Sequence, residues 1–199
     1  MWNERFSGEE YVYGTEPNDF LKENRDLFNT LAMPQKILCL GEGEGRNAVF
    51  LAQQGNQVWA LDYAQAGLDK TRKLAELKQT RVHTIHADLT THELPEAEYD
   101  AVIMVFCHLP SANRPFLYEQ IRKTLKPEGV LLAELYTPEQ LEYRTGGPGN
   151  VDMLVSKEEL EQAFASYSLL VSKECVRDIH EGKLHTGKGA VVQFIARKT

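Results

Sequence analysis

Three glycines in five residues, Gly41, Gly43 and Gly45, separate a short apolar run, Ile37-Leu38-Cys39-Leu40, from a stretch that opens Arg46-Asn47-Ala48-Val49. An apolar run ending in such a cluster is a strand that turns sharply into a helix. Glycine accepts backbone angles closed to other residues, and a turn without side chains lets a ligand approach the main chain. The helix that follows offers unpaired N–H groups and the positive end of its dipole. A strand, a glycine turn and a helix in succession are the opening unit of an α/β sheet that binds ligands at the carboxyl ends of its strands.

The rest of the chain repeats the alternation. Short, continuous apolar runs at 36–40, 58–61, 81–85, 99–106 and 130–135 suit parallel strands covered on both faces. Helical stretches at 46–54, 64–78 and 113–125 lie between them, with Gly55 and Pro127-Glu128-Gly129 as stops. A right-handed, doubly wound sheet follows from this order. Ser156, with Glu159 three residues on, is a capping box that starts another helix. The tail then changes character. Residues 169–179 and 190–197 are two longer strands joined by a polar connection at 181–189, and strands without an intervening helix pair antiparallel. The expected fold is a seven-stranded sheet, mostly parallel, with an antiparallel C-terminal hairpin. Ahead of it, Phe20, Leu21, Leu27, Phe28 and Leu31 share one face of an expected helix over 17–32. Residues 1–199 are read as a single domain, with 1–35 as a lid or strap segment plus this helix.

Composition narrows the classes. The chain has 199 residues, 42% hydrophobic, with a net charge of −7. The longest apolar run, 101–107, is far short of the ~20 residues that cross a membrane. No apolar leader follows Met1, and three widely spaced cysteines make no disulfide framework, so a cytoplasmic protein is expected. A pI near 5.4 argues against a nucleic-acid partner.

The ligand expected at the glycine turn is a nucleoside. Asp62 ends the second strand, where a carboxylate can accept ribose hydroxyls. Asp88, followed by Leu89, lies after the third strand, beside the place of an adenine. The dinucleotide pattern G-x-G-x-x-G is broken, because the third glycine falls one place early and Arg46 stands in its position. Glu42 and Glu44 would repel a pyrophosphate and attract a cation, and S-adenosylmethionine carries a sulfonium and no phosphate. The expected cofactor set is Gly41, Glu42, Gly43, Gly45, Arg46, Asn47, Asp62, Tyr63, Asp88, Leu89 and Phe106.

With Gly-x-Gly-x-Gly, the acidic end of strand two, Ala87-Asp88-Leu89, Tyr99-Asp100, Leu125-Lys126-Pro127-Glu128-Gly129 and the terminal hairpin, the chain resembles the class I S-adenosylmethionine-dependent methyltransferases. The resemblance implies their Rossmann-like fold and cofactor. Cys39 departs from it, standing where that family often has an acidic residue. Gly45-Arg46-Asn47-Ala48, Leu51-Ala52 and Glu181-Gly182-Lys183-Leu184-His185 are similar to the tellurite-resistance methyltransferases, and the small size and aromatic N-terminal segment are shared with the thiopurine methyltransferases. That group implies a small-molecule acceptor with a sulfur, selenium or tellurium nucleophile.

On the acceptor side, His108 follows the fourth strand and is the first catalytic candidate. His185 is the second; the tellurite-resistance resemblance implies a catalytic histidine there, though the arginine expected after it is Thr186. Cys107-His108 lacks partners at metal-ligand spacing, so no metal is expected. Tyr11, Tyr13, Tyr136 and Arg144 are substrate-side candidates, with the glycine-rich stretch 145–150 as a hinged lid. The alternatives are a nicotinamide-dependent oxidoreductase and a nucleoside-binding module without catalysis. A monomer or homodimer is expected.

Overall fold

The computed structural model describes residues 2–28 and 34–199. Seven strands form one sheet: β1 (Lys36–Leu40), β2 (Gln57–Asp62), β3 (Val82–His86), β4 (Tyr99–Val105), β5 (Leu125–Tyr136), β6 (Tyr167–Glu181) and β7 (His185–Lys198). Their order is β3-β2-β1-β4-β5-β7-β6. β1 to β5 pair in parallel, and β7 runs antiparallel to both β5 and β6. This is the architecture expected from the sequence. The order reverses between β1 and β4, which makes that crevice the topological switch point of the sheet.

Strand alternation explains why continuous apolar runs were needed. Leu38 and Leu40 of β1, with Val102 and Met104 of β4, face one core together with Leu117, Tyr118, Ile121, Leu160 and Phe164. Ile37 and Cys39, with Ala101 and Ile103, face the opposite core, which holds Val49, Leu51, Leu68 and Leu74. The first core packs α5 (Arg114–Thr124) and α7 (Lys157–Ala163); the second packs α3 (Arg46–Gln53) and α4 (Gln65–Leu77). Each fully buried Leu or Ile contributes roughly 1.5–3 kcal/mol.

Three expectations are corrected. The helix predicted over 17–32 is shorter: α2 spans Asp19–Glu23 and a 3₁₀ turn follows at Arg25–Phe28. Asn18, not Pro17, starts it, because its side chain accepts from Leu21 N at 3.0 Å. Asn24 then ends it by donating from Nδ2 to the Phe20 carbonyl at 2.8 Å, a side-chain bond that competes with the helix ladder. Leu31 and the end of the predicted helix lie outside the described residues. The hairpin connection predicted at 181–189 shrinks to the three residues between β6 and β7. Gly187 and Gly189 look like loop residues but belong to β7; a Cβ on Gly189 would stand 2.4 Å from Ile179 Cδ1, so the Ile179 side chain packs into the space that this glycine leaves. The capping box at Ser156 is half formed. Its Oγ accepts from Glu159 N at 3.2 Å, while the Glu159 carboxylate accepts instead from Arg114 and Tyr118.

An element not read from the sequence is α1 (Trp2–Phe6), which lies against α4, Asn3 Oδ1 accepting from Ala66 N at 3.0 Å. A short α6 (Gln140–Tyr143) follows β5. No helix among the described residues is long and apolar enough to cross a membrane.

Candidate active site

Two adjoining hollows open at the carboxyl edge of the sheet. The smaller, about 120 Å³, is lined by Asp62, Tyr63, Asp88, Leu89 and Leu109. The larger, about 500 Å³, lies over the glycine turn and is walled by Arg46, Asn47, His185 and the loop Gly146 to Asn150. Trp2, Gly41, Phe106 and His108 line both, so the two form one channel from the β2–β3 side to the β7 side of the switch point.

The turn works sterically as well as conformationally. Gly41, Gly43 and Gly45 all have left-handed φ angles, +60°, +66° and +94°. A Cβ on Gly41 would come within 2.6 Å of Cys107 Sγ, and one on Gly45 within 2.7 Å of Thr71 Cα. The carboxylates of the turn are already engaged. Oε1 of Glu42 accepts from Asn47 N at 2.9 Å and Ala48 N at 2.8 Å, which caps α3 and supplies the negative charge its positive end favours. Burial nevertheless raises the Glu42 carboxyl to about 7. Glu44 is buried against Lys70 Nζ at 2.7 Å and accepts from Tyr13 N at 3.2 Å. Lys70 therefore balances the Glu44 charge, and the attraction for a cation that the sequence assigned to both carboxylates rests on Glu42.

Asp62 is buried, and burial raises its carboxyl above the usual range. Its Oδ2 accepts from Gly43 N and its Oδ1 from Ala64 N, both at 2.8 Å. A carboxylate offers about four lone-pair sites, so acceptor capacity remains toward the hollow. Asp88 is exposed at the rim and accepts from the Thr90 backbone and hydroxyl at 2.8 and 2.7 Å, which lowers its carboxyl. Phe106 follows β4 in the left-handed region, φ +50°, an uncommon conformation for an aromatic residue and one that concentrates at sites.

The two catalytic candidates differ. His108 lines the channel, but both ring nitrogens are spent: Nδ1 donates to the Met153 carbonyl at 2.9 Å and Nε2 accepts from Tyr136 N at 3.3 Å. Burial lowers it to about 4, so it is a neutral, backbone-bound ring and no free base. His185 is no loop residue; it is the first residue of β7 and buried. Tyr13 packs on it at 4.5 Å between ring centroids, Phe106 at 4.9 Å and Tyr136 at 5.5 Å. Its Nδ1 has no partner, and burial, with the Arg46 charge, lowers it to about 3.

Of the substrate-side candidates, Tyr13 lines the larger hollow. Tyr11 lies away from it, donating from its hydroxyl to the Lys70 carbonyl at 3.1 Å. Tyr136 sits one layer back, its ring stacked on Phe106 at 4.5 Å. Arg144 is exposed at the end of α6 and outside the lining. Sequence reasoning missed Arg5 and the buried network behind Arg46. Glu181 accepts from Arg46 Nη2 at 2.5 Å, from Asn18 Nδ2 at 2.8 Å and from Arg177 Nη2 at 3.1 Å. Glu134 accepts from the same Asn18 and Arg177 and from Gln193 Nε2 at 2.6 Å. Only the cap position of Asn18 carried a local signal.

Residues 37–129 match the family model described as a methyltransferase domain. Hemagglutinin 1 of Eikenella corrodens is 28% identical over 78% of this chain and 51% of its own length. The tRNA 5-carboxymethoxyuridine methyltransferase of Escherichia coli is 28% identical over 71% of this chain and 58% of its own. The chain spans about half the length of the curated relatives it matches. Among solved structures, one described for conversion of a disulfide bond into a thioacetal group during echinomycin biosynthesis superposes with a TM-score of 0.79 at 15% identity, over 99% of this chain and 91% of that one. TehB from Haemophilus influenzae gives 0.73 at 19%, over 100% and 68%. Magnesium protoporphyrin IX methyltransferase from Synechocystis, with bound S-adenosylhomocysteine, gives 0.68 at 13%, over 100% and 93%. Residues 37–129 are thus similar to a methyltransferase domain, and the sheet has the Rossmann-like fold of solved class I methyltransferases. S-adenosylmethionine is the cofactor that this class uses.

Proposed function

We propose that this protein transfers the methyl group of S-adenosylmethionine to a small molecule whose nucleophile is sulfur, selenium or tellurium. The observation that carries the reading is the pairing of a lidded channel with the want of a free strong base inside it. Asp62 and Asp88, on the β2–β3 side, suit the ribose and adenine. The turn Gly41 to Gly45 suits the methionyl chain, with Glu42 near the sulfonium. Trp2, Phe6 and Tyr13 form an aromatic cover, and a sulfonium is drawn to aromatic faces.

In-line methyl transfer needs an oriented nucleophile and exclusion of water. The acceptor's electron pair forms the new bond to the methyl carbon, and the old carbon–sulfur pair stays on the departing cofactor sulfur. An alcohol or amine acceptor calls for a base poised near neutral pH. His108 has both nitrogens occupied, His185 is pushed far down, and the Glu42 carboxyl, though near 7, is engaged by the N–H groups of Asn47 and Ala48, so the site favours an acceptor that ionises unaided. The acidic chain and the enclosed cover favour a small acceptor over the tRNA named for one relative.

The test is release of S-adenosylhomocysteine from S-adenosylmethionine with thiols, selenite, phenols and amines as acceptors, and with bulk tRNA. Turnover with thiols or selenite is expected. Turnover with tRNA alone overturns the acceptor assignment, and failure to bind S-adenosylhomocysteine overturns the cofactor.

A further inference from the structure

Two buried side chains of the larger hollow each hold a nitrogen with no hydrogen-bond partner, while the carboxylates around it are all engaged. Glu42 and Glu44, which line it, are partnered by the N–H groups of Asn47 and Ala48 and by Lys70; behind it Glu181 holds Arg46, Arg177 and Asn18, and in the smaller hollow Asp62 accepts from the N–H groups of Gly43 and Ala64. Arg46 and His185 are each nine-tenths buried or more, both line the hollow, and each carries a nitrogen with no partner, Nη1 and Nδ1. Buried polar groups are paired as a rule, and two unpaired ones in one corner call for an explanation. Tyr13 lies over this corner, 4.5 Å from His185, with its hydroxyl held by Arg5 Nη1 at 3.0 Å. Arg5 adds a further positive charge to the lining.

Place in the sheet decides whose anion this corner serves. The nucleoside side lies at the ends of β2 and β3. Arg46 and His185 meet on the other side of the switch point, toward β7. Arg46 is held in one orientation by Glu181, which Arg177 and Asn18 hold in turn, so Nη2 is fixed and Nη1 is left over. We propose that the acceptor carries an anionic group, a carboxylate or comparable oxyanion, in addition to its nucleophile, and that Arg46 and His185 dock it once Tyr13 moves aside. The inference rests on the methyl-transfer reading above.

The test compares two thiols of similar size, mercaptoacetate and 2-mercaptoethanol, titrated at equal ionic strength onto the protein loaded with S-adenosylhomocysteine, with binding read from amide NMR shifts. A hydrogen bond to a charged group contributes enough to favour mercaptoacetate by roughly 10- to 100-fold. Arg46→Met should bring the two thiols to within about threefold of each other. Since that variant leaves Glu181 without a partner and can fail to fold, Arg46→Lys is the second: it keeps a cation for Glu181, removes the second donor nitrogen, and should lose most of the preference.

Equal binding of the two thiols, or no binding of mercaptoacetate, overturns the proposal. If Arg46→Lys keeps the preference and instead weakens S-adenosylhomocysteine about tenfold or more, the corner holds the cofactor's own carboxylate and the proposal is likewise overturned. A wild-type protein that binds no S-adenosylhomocysteine sinks the parent reading first. Loading that succeeds without any charge preference sinks this one alone.

Discussion

Arg46, at the start of α3, and Glu181, at the end of β6, meet Nη2 to Oε2 at 2.5 Å, with side chains only 8% and 4% exposed. Removing one partner from a buried pair leaves an uncompensated charge, which costs about 3–5 kcal/mol. Here Glu181→Ala leaves the Arg46 guanidinium without its carboxylate, while Arg177 keeps Glu134. It should lower the urea midpoint by that amount of stability, and a double variant Arg46→Met/Glu181→Leu should lose less than the sum of the single variants. Additive losses would show that the pair is not coupled.

Gly45→Ala tests the turn itself. An alanine at φ +94° is strained by ~1–2 kcal/mol, and its Cβ would press on the backbone of α4 at Thr71. Melting should fall by roughly 2–8 °C for a chain of this size. Co-melting with wild type would remove the steric account.

The pH dependence of Glu42 has a definite sign. Its carboxyl stands near 7 folded against 4.5 unfolded, so between those values the folded chain holds a proton the unfolded chain has released. That contribution is full below pH 4.5 and lost as pH rises through 7. Glu42→Gln keeps an oxygen for the N–H groups of Asn47 and Ala48 and abolishes the titration. It should match wild type near pH 4.5 and exceed it by ~2–3 kcal/mol above pH 8, read from paired denaturant curves. A constant difference across that range contradicts the assignment.

His108 and His185 stand near 4 and 3 when folded. Both fall below the ordinary 6.5, so each contributes stability above pH 6.5 that is lost as pH drops through those folded values. Carbon and nitrogen shifts of the two rings should still report neutral imidazole at pH 5.5, where a free histidine is mostly charged. Imidazolium shifts at that pH would mean that water reaches the rings.

Much of this could be read in the chain, and the limits follow from range. β1 was legible residue for residue because its apolar run is bounded by charge on one side and glycine on the other. The turn was legible because three glycines in five residues have few other uses. What failed was pairing at a distance. Nothing local in Glu181 announces Arg46, 135 residues earlier, or Arg177 on the same strand. His108 was placed at the strand edge, but its availability depends on whether Met153 and Tyr136 reach its nitrogens, which only the packed loops decide. The strand beginning at His185 was hidden because glycines that let two strands approach closely look the same in sequence as glycines that make a loop.

The segment that covers the channel is held by the last hairpin. Lys183 N donates to the Val12 carbonyl at 2.9 Å, Asn18 reaches Glu181, and Tyr13 rests on His185. These contacts join residues to partners some 170 positions further along the chain. A nascent chain can therefore build β1 to β5 and the glycine turn while the cover has nothing to close upon. Ligand capture of the closed kind begins only when β6 and β7 have taken their places, which ties competence to the docking of this hairpin.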